Sequence, residues 1–255
     1  MNEYKGWLGW NMILTLVFMR YVVVAGLFFF VYYVWKKRAW SFKKIQFRFP
    51  QSIDYLREVG YSLLTIFVFA SIGYVLFFSP LRAHTFIYSD IAEYGWVYFI
   101  GSIGGMLLLH DTYFYWTHRA MHHRSVYRWF HKIHHLSTNP SPWAAYAFHP
   151  LEAIIEAGIV VVIVFVMPAH PYAVSTFLLL MMVYNVYGHL GYELYPRGFS
   201  SSAIGKWINT SVNHNQHHQY FVGNYGLYFL WWDRWMGTIR SDYDSAFEQV
   251  KSKKD

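Results

Sequence analysis

Three short blocks, HRAMHH (His118, His122, His123), HKIHH (His131, His134, His135) and HNQHH (His214, His217, His218), constrain the fold more than any other feature of the chain. Nine of the fourteen histidines lie in them at spacings of one, three or four residues, so a helix or tight turn points several imidazoles at a common centre. Protonated imidazoles crowded in this way repel one another, whereas neutral imidazole is the commonest protein metal ligand. So many nitrogens, in a chain without cysteine, exceed what one structural or catalytic zinc ion uses, and two metal ions fit the count better. The fold must therefore carry blocks about eighty residues apart to one place.

The rest of the chain asks for lipid. Of 255 residues 55% are hydrophobic, 22% aromatic and only 14% charged, far from a soluble average. From Trp7 to Trp35 the sequence is apolar apart from Arg20, longer than the ~20 residues that cross a bilayer core. MNEYKGW before it lacks a basic region and a cleavage site, so this span is expected to stay in the mature protein. Further apolar stretches run over about 61–78, 96–115, 153–166 and 173–187. The last two, separated by Pro168 and Pro171, form a hairpin that is either spanning or re-entrant. Trp and Tyr at segment ends match an interfacial belt. Lys36, Lys37, Arg38, Lys43, Lys44, Arg48 and Arg57 put the first connection in the cytoplasm, and alternation then brings every histidine block and the tail KSKKD to the same side. The expectation is an all-α integral membrane bundle of about four to five spans or re-entrant helices. It is a single domain over 1–255, with a catalytic region at about 96–240 and a cytosolic histidine-rich helical cap from about 116–150 and 188–240.

Composition excludes several function classes. Without cysteine there are no disulfides, no thiolate-ligated iron–sulfur cluster and no thiol catalysis. The net charge of +7 suits anionic headgroups, or docking of an acidic electron carrier. Nucleic acid is not a partner, because the basic residues flank membrane spans and no recognition motif appears.

His118 and His122 lie one turn apart where the third span leaves the membrane, and His123 points about 100° away. His110, two turns further back on roughly the same stripe, is either a ligand or a polar residue satisfied inside the bundle. Asp111 is expected to orient an imidazole from behind. In the second block, a short helix stopped by STNPSP, His131 and His134 stand side by side with His135 adjacent. The third block repeats that spacing. His189, in YGHLGYE, emerges over the same cap as a further ligand. His149 before Pro150 either caps a helix and supports the site or ligates. His84 and His170 fall on the opposite side as surface residues. Glu152 reads as a helix-terminus charge, while Glu156, deeper, is less easily dismissed. Membrane anchoring accounts for most of the aromatic residues, and none is assigned to substrate.

At these residues the chain resembles the fatty acid hydroxylase/sterol desaturase superfamily of integral membrane di-iron enzymes. HDTYFYWTHRAMHH, YRWFHKIHH, AYAFHPLE, GHLGYE, NHNQHHQYFVGNYG and WWDRWMGT recur there in this order, from His110 to Thr238. The resemblance implies metal ligation by His118, His122, His131, His134, His135, His214, His217 and His218, with His189 as a ninth. It leaves open which of His122 and His123 faces the metal, does not require histidine at 110, and gives Asp233 and Arg234 structural contacts. It further implies two iron ions (zinc being a possible substitute), O2, and a separate electron donor such as a ferredoxin or small haem cytochrome. The reaction implied is hydroxylation or desaturation of a sterol, fatty acyl or sphingolipid-type C–H bond, with an apolar channel feeding the lipid tail from the bilayer. A membrane metal-binding or transport protein would carry its ligands in the middle of several spans, whereas these blocks lie at one membrane face. A zinc-dependent lipid hydrolase lacks support from any HExxH or GxSxG motif.

Overall fold

The computed structural model describes residues 3–253 and is helical throughout, with no strand among the described residues and only three isolated bridge pairs. Five long helices build the body. Helix α1 (Glu3–Phe29) runs on through a π-helical stretch to Trp35, and α2 (Ser52–Phe78) returns antiparallel to it. That register shows in Trp10 meeting Phe67 and Phe29 meeting Tyr55 at ring centroid distances of 5.6 and 5.3 Å. Helix α3 (Gly95–Met121) follows, then α5 (Pro150–Val166) and α6 (Pro171–Gly188) as a helical hairpin. The short helices α4 (Tyr127–Phe130), α7 (Ser211–Tyr220), α8 (Trp231–Trp235) and α9 (Tyr243–Lys251) belong to the cap.

Local chemistry sets the boundaries. Both hairpin helices begin with His-Pro: His149 and His170 accept from the amides of Leu151 and Tyr172 at 3.3 and 3.2 Å, and the following proline starts the helix at no cost in hydrogen bonds. Helix α2 starts nine residues before the apolar stretch at 61, because Gln51 and Asp54 close a capping box and make its polar first turns helical.

Helices α1 (from Gly6 through Trp35) and α2 are long and apolar enough to cross a membrane, with only 28% of each apolar window buried. Their outward faces, with Leu27, Phe30, Leu63 and Phe67, are exposed. Helices α5 and α6, at 17 and 18 residues, extend about 26 and 27 Å, less than the ~30 Å hydrocarbon core. Helix α3 is long enough but becomes polar from His110 onward.

The two poles differ in chemistry. At one, the turn between α5 and α6 meets the connection between α2 and α3: Ala169 N–H donates to Phe86 O at 3.0 Å and Tyr98 hydroxyl to Pro168 O at 2.8 Å. His84 lies at this pole, and so does His170, which is buried rather than at the surface as expected because its ring caps α6 and meets Ser89 O at 3.2 Å. At the other, the basic 36–51 connection is tied into the cap through Ile45 N to Gly191 O, 2.9 Å, and Gln46 Nε2 to Thr138 O, 2.9 Å. All three histidine blocks sit at that end.

Candidate metal centre

Helix α3 brings His118 and His122 to the pole. Helix α4 lasts a single turn before a 3-10 turn, His134–Leu136, so the second block is presented on a tight, irregular segment. Arg57 fastens it from α2 by donating to Leu136 O at 3.1 Å, and Glu58 accepts from Ser141 Oγ. His189 caps the end of α6. Helix α7 starts at Thr210, whose hydroxyl accepts from Asn213 N–H at 3.2 Å, and stops where Phe221 turns left-handed.

These segments gather nine imidazoles into two groups. His118, His122, His131, His135 and His217 form one, and His134, His189, His214 and His218 the other, each with one nitrogen per residue within 4.8 Å of all the rest. In the first group Nε2 to Nε2 distances are 2.9 Å (His118–His131) and 3.1 Å (His122–His217 and His122–His135). In the second, His189, His214 and His218 make a triangle with 3.1 Å edges, and His134 lies 3.2 Å from His189.

The two HxxHH blocks are used in opposite senses. In the second block His131 and His135, four apart, join the five-membered group while His134 turns to the other. In the third, His214 and His218, also four apart, join the four-membered group while His217 crosses over. Residues four apart are rotated by only about 40° on a helix, whereas the one between diverges. The expectation that His131 and His134 share one side is thereby corrected.

The outward nitrogens fix the tautomers. Nδ1 of His118, His217, His189 and His218 faces the carbonyls of Tyr225, Gly223, Asn185 and Ser137 at 2.8–3.0 Å, and Nδ1 of His131 faces Glu152 Oε1 at 2.6 Å. Main-chain carbonyls only accept, so Nδ1 of His118, His217, His189 and His218 carries the proton and their Nε2 presents a lone pair inward. Burial, reinforced by neighbouring imidazoles, holds His131, His134, His135, His214, His217 and His218 well below the usual histidine range, and burial pushes His189 down to about 4. Neutral lone pairs facing each other near 3 Å have no proton to share, and a cation removes the repulsion. Two nitrogens bound at about 2.1 Å stand about 3.0 Å apart at a right angle and about 3.4 Å apart at the tetrahedral angle. The 2.9–3.2 Å edges are of the size expected for imidazole nitrogens that share one ion.

Four other candidates lie apart from both groups. His110 is buried with Nδ1 2.9 Å from the Tyr228 hydroxyl. Asp111 orients no imidazole: it accepts from the Tyr228 and Phe229 amides at 2.9 and 3.1 Å and from Trp231 Nε1 at 2.6 Å, organising the loop that carries Tyr225. His123 faces solvent because α3 ends at Met121 and only His122 turns inward. His149 is the cap of α5. Asp233 takes the amides of Tyr225 and Gly226 at 2.9 and 2.7 Å, and Arg234 donates to Lys206 O, both structural contacts. Glu152, read from sequence as a helix-terminus charge, is instead fully buried against His131. Its signal was its place one turn into a helix starting beside the site.

A cavity of about 240 Å³ runs through the bundle toward the histidine groups, and no member of either group lines it. Along α6 it runs from Pro171 to Asn185, about 21 Å. Its upper end is closed by Phe114 and Phe148, whose rings lie 4.8 Å from His118 and 5.1 Å from His134, one against each group.

The fatty acid hydroxylase family model matches residues 103–238, just over half of the chain. Mouse lathosterol oxidase is 34% identical over 175 residues, covering 68% of this chain and 56% of its own length. The human lathosterol oxidase is 30% identical over 194 residues (75% and 62%), and a Delta(7)-sterol 5(6)-desaturase of Gibberella zeae 30% over 198 (76% and 60%). The chain thus spans 56–62% of the length of these relatives. No solved structure matches it.

Proposed function

The chain belongs to the fatty acid hydroxylase family, and on that footing we propose that it is a membrane-bound non-haem di-iron oxidoreductase that uses O2 and external electrons to hydroxylate or desaturate a lipid C–H bond. The observation that carries this reading is the division of nine neutral imidazoles, eight buried and His122 half-buried, into groups of five and four whose ring nitrogens converge. Ligation by His118, His122, His131, His135 and His217 at one ion and by His134, His189, His214 and His218 at the other follows, with zinc as a possible substitute. The names of the relatives favour a sterol over an acyl chain as substrate.

Bound iron would supply the O2-dependent oxidation of an unreactive C–H bond. The chain's own residues do the rest. Glu152 and the carbonyls of Tyr225, Gly223, Asn185 and Ser137 hold the imidazoles in one tautomer and orientation. Phe114 and Phe148 shield the groups from the cavity side, and the apolar cavity aligns the lipid while excluding water.

In this reading 1–255 is one membrane-embedded domain in which α3, α5 and α6 join α1 and α2 as further spans or re-entrant helices, four to five in all. The basic connections support a cytoplasmic cap, where a separate acidic donor, a ferredoxin or small haem cytochrome, would dock. A transporter would need its ligands along a path through the spans, and these lie at one end. The test is lipid mass spectrometry with and without the protein, seeking a change of one oxygen or two hydrogens, together with iron content and dependence on O2 and reductant. His134→Ala and His217→Ala are expected to abolish turnover and lower bound iron. Wild-type activity in either variant rejects the ligand assignment, and anaerobic turnover rejects the oxidase.

A further inference from the structure

The connection between α1 and α2 carries Lys36, Lys37, Arg38, Lys43, Lys44 and Arg48, with no acid between 36 and 51. None of the six forms an ion pair among the described residues, whose salt bridges all lie elsewhere. The lysines rest on aromatic rings instead. Lys36 and Lys43 share Trp40, at 5.9 and 5.1 Å from its centroid, and Lys36 also lies 4.2 Å from that of Trp35. Lys37 and Lys44 share Phe49, at 4.3 and 4.7 Å. From the tail Lys253 adds a further cation, donating to Lys44 O at 2.6 Å and standing 4.4 Å from the Phe47 ring.

A ring face attracts a cation but carries no net charge to offset it. Two ammonium groups on one ring therefore still repel. The strain shows at Lys44, where burial, and then the charges of Lys253 and Lys37, push the amine down to about 8. Lys44 itself is enclosed, whereas Lys36, Lys37 and Lys43 keep exposed surface.

An anion is what this cluster lacks, and position selects its kind. The long apolar helix ends at Trp35, directly before Lys36, and α2 begins at Ser52. With both helices spanning, the connection lies at the level of the headgroups. Trp35 and Phe47, 64% and 86% exposed, stand beside the amines. A dissolved anion would leave these rings in water, whereas the boundary between headgroups and acyl chains receives them. Clustered Lys and Arg immediately after a span are drawn to anionic leaflets.

We propose that Lys36, Lys37 and Lys43, around Trp35 and Trp40, bind the phosphate of an anionic phospholipid in the leaflet at the histidine pole. The site is joined to the support of the metal centre. Ile45 N–H donates to Gly191 O and Glu193 N–H to Lys43 O, both at 2.9 Å, along the segment that follows His189. Gln46 Nε2 donates to Asn215 Oδ1 of α7 at 2.9 Å. A phosphate that relieves the repulsion along 36–44 thereby steadies the segments that carry His189, His214 and His218. This rests on the membrane-embedded reading above, with α1 and α2 as spans, and not on the reaction.

The whole protein, purified in detergent, is titrated with phosphatidylglycerol and with phosphatidylcholine of the same acyl chains, and bound lipid is counted by native mass spectrometry. Wild type is expected to favour phosphatidylglycerol by about tenfold or more, the range for two or three basic residues at an anionic headgroup. The triple variant Lys36→Gln, Lys37→Gln, Lys43→Gln should reduce that preference to about twofold or less. Arginine at the same three positions should keep it. So should Arg124→Gln, Arg128→Gln, Lys132→Gln, which removes as much charge from the exposed face of the cap. Phosphatidylglycerol should also raise the Tm of wild type and not that of the first triple variant. Equal binding of the two lipids by wild type, a result that needs no variant, overturns the site. Equal loss in the cap variant overturns it in favour of net charge alone, and displacement by inorganic phosphate in favour of a dissolved anion. Binding of an acidic plant-type ferredoxin that the first triple variant abolishes and phosphatidylglycerol does not displace overturns it in favour of a protein dock. No readout involves metal or turnover, so failure here leaves the oxidase reading to be judged by iron and O2 dependence.

Discussion

Glu152→Leu is the sharpest probe of the metal centre, because it removes one contact to one of the two groups. The carboxylate is fully buried and its Oε1 holds Nδ1 of His131 at 2.6 Å. Leucine leaves that N–H without an acceptor, worth about 1–3 kcal/mol, and frees the ring to take the other tautomer. Loss of such a carboxylate behind a histidine ligand typically weakens metal binding by about 10–100-fold, or about 1.4–2.7 kcal/mol. The two routes give the same size of effect. Because His131 belongs to the five-membered group, the loss should be selective: the iron content, measured against a graded iron supply, should fall from two per chain toward one. His189, His214 and His218, on carbonyl contacts and on each other, should still hold theirs. Glu152→Gln should fall between, its amide oxygen still accepting. Full retention of two irons with unchanged affinity in Glu152→Leu, or loss of both in parallel with intact folding, would refute the assignment of one ion to each group.

Asp111→Ala strips three hydrogen bonds from the loop at 228–231, and thermal unfolding should show a loss of about 3 kcal/mol or more, about 6–12 °C in Tm; an unchanged Tm would contradict its structural role. A methyl group at Gly9 would stand 2.8 Å from the Phe78 ring, so Gly9→Ala should destabilise by about 1–3 kcal/mol, read from denaturant midpoints. Metal-stripped protein should lose stability in acid. Its histidines are held below the unfolded value, so from pH ~6.5 down to about 4 for His189, and further for the others, the unfolded chain binds more protons than the native one. Each imidazole kept neutral then costs about 1.4 kcal/mol per pH unit. Melts at pH 7.5 and 5.0 should differ steeply without metal and start higher with it, and a flat profile in the stripped protein would count against the buried neutral histidines.

Much of this was legible in the residues. Apolar runs and the prolines that bound them, with His149 before Pro150, outlined the helical body, because helix length and capping are local properties. The blocks at 118–123, 131–135 and 214–218, with His189, identified the imidazoles that converge, since few arrangements other than a metal centre tolerate such crowding. Only the packed structure decided how they divide. Two identical HxxHH patterns are shared out in opposite senses because the segments approach from different directions, and spacing carries no information about docking. The same holds for what surrounds them: main-chain carbonyls of Tyr225, Gly223 and Ser137 have no sequence signature, and Asp111 and Glu152 exchanged their expected parts because burial against a particular neighbour is set by tertiary contact. A sequence determines which groups need a cation and a lipid around them, whereas the three-dimensional arrangement determines which nitrogen faces which, since hydrogen bonds and coordination depend on distances that no spacing along the chain fixes.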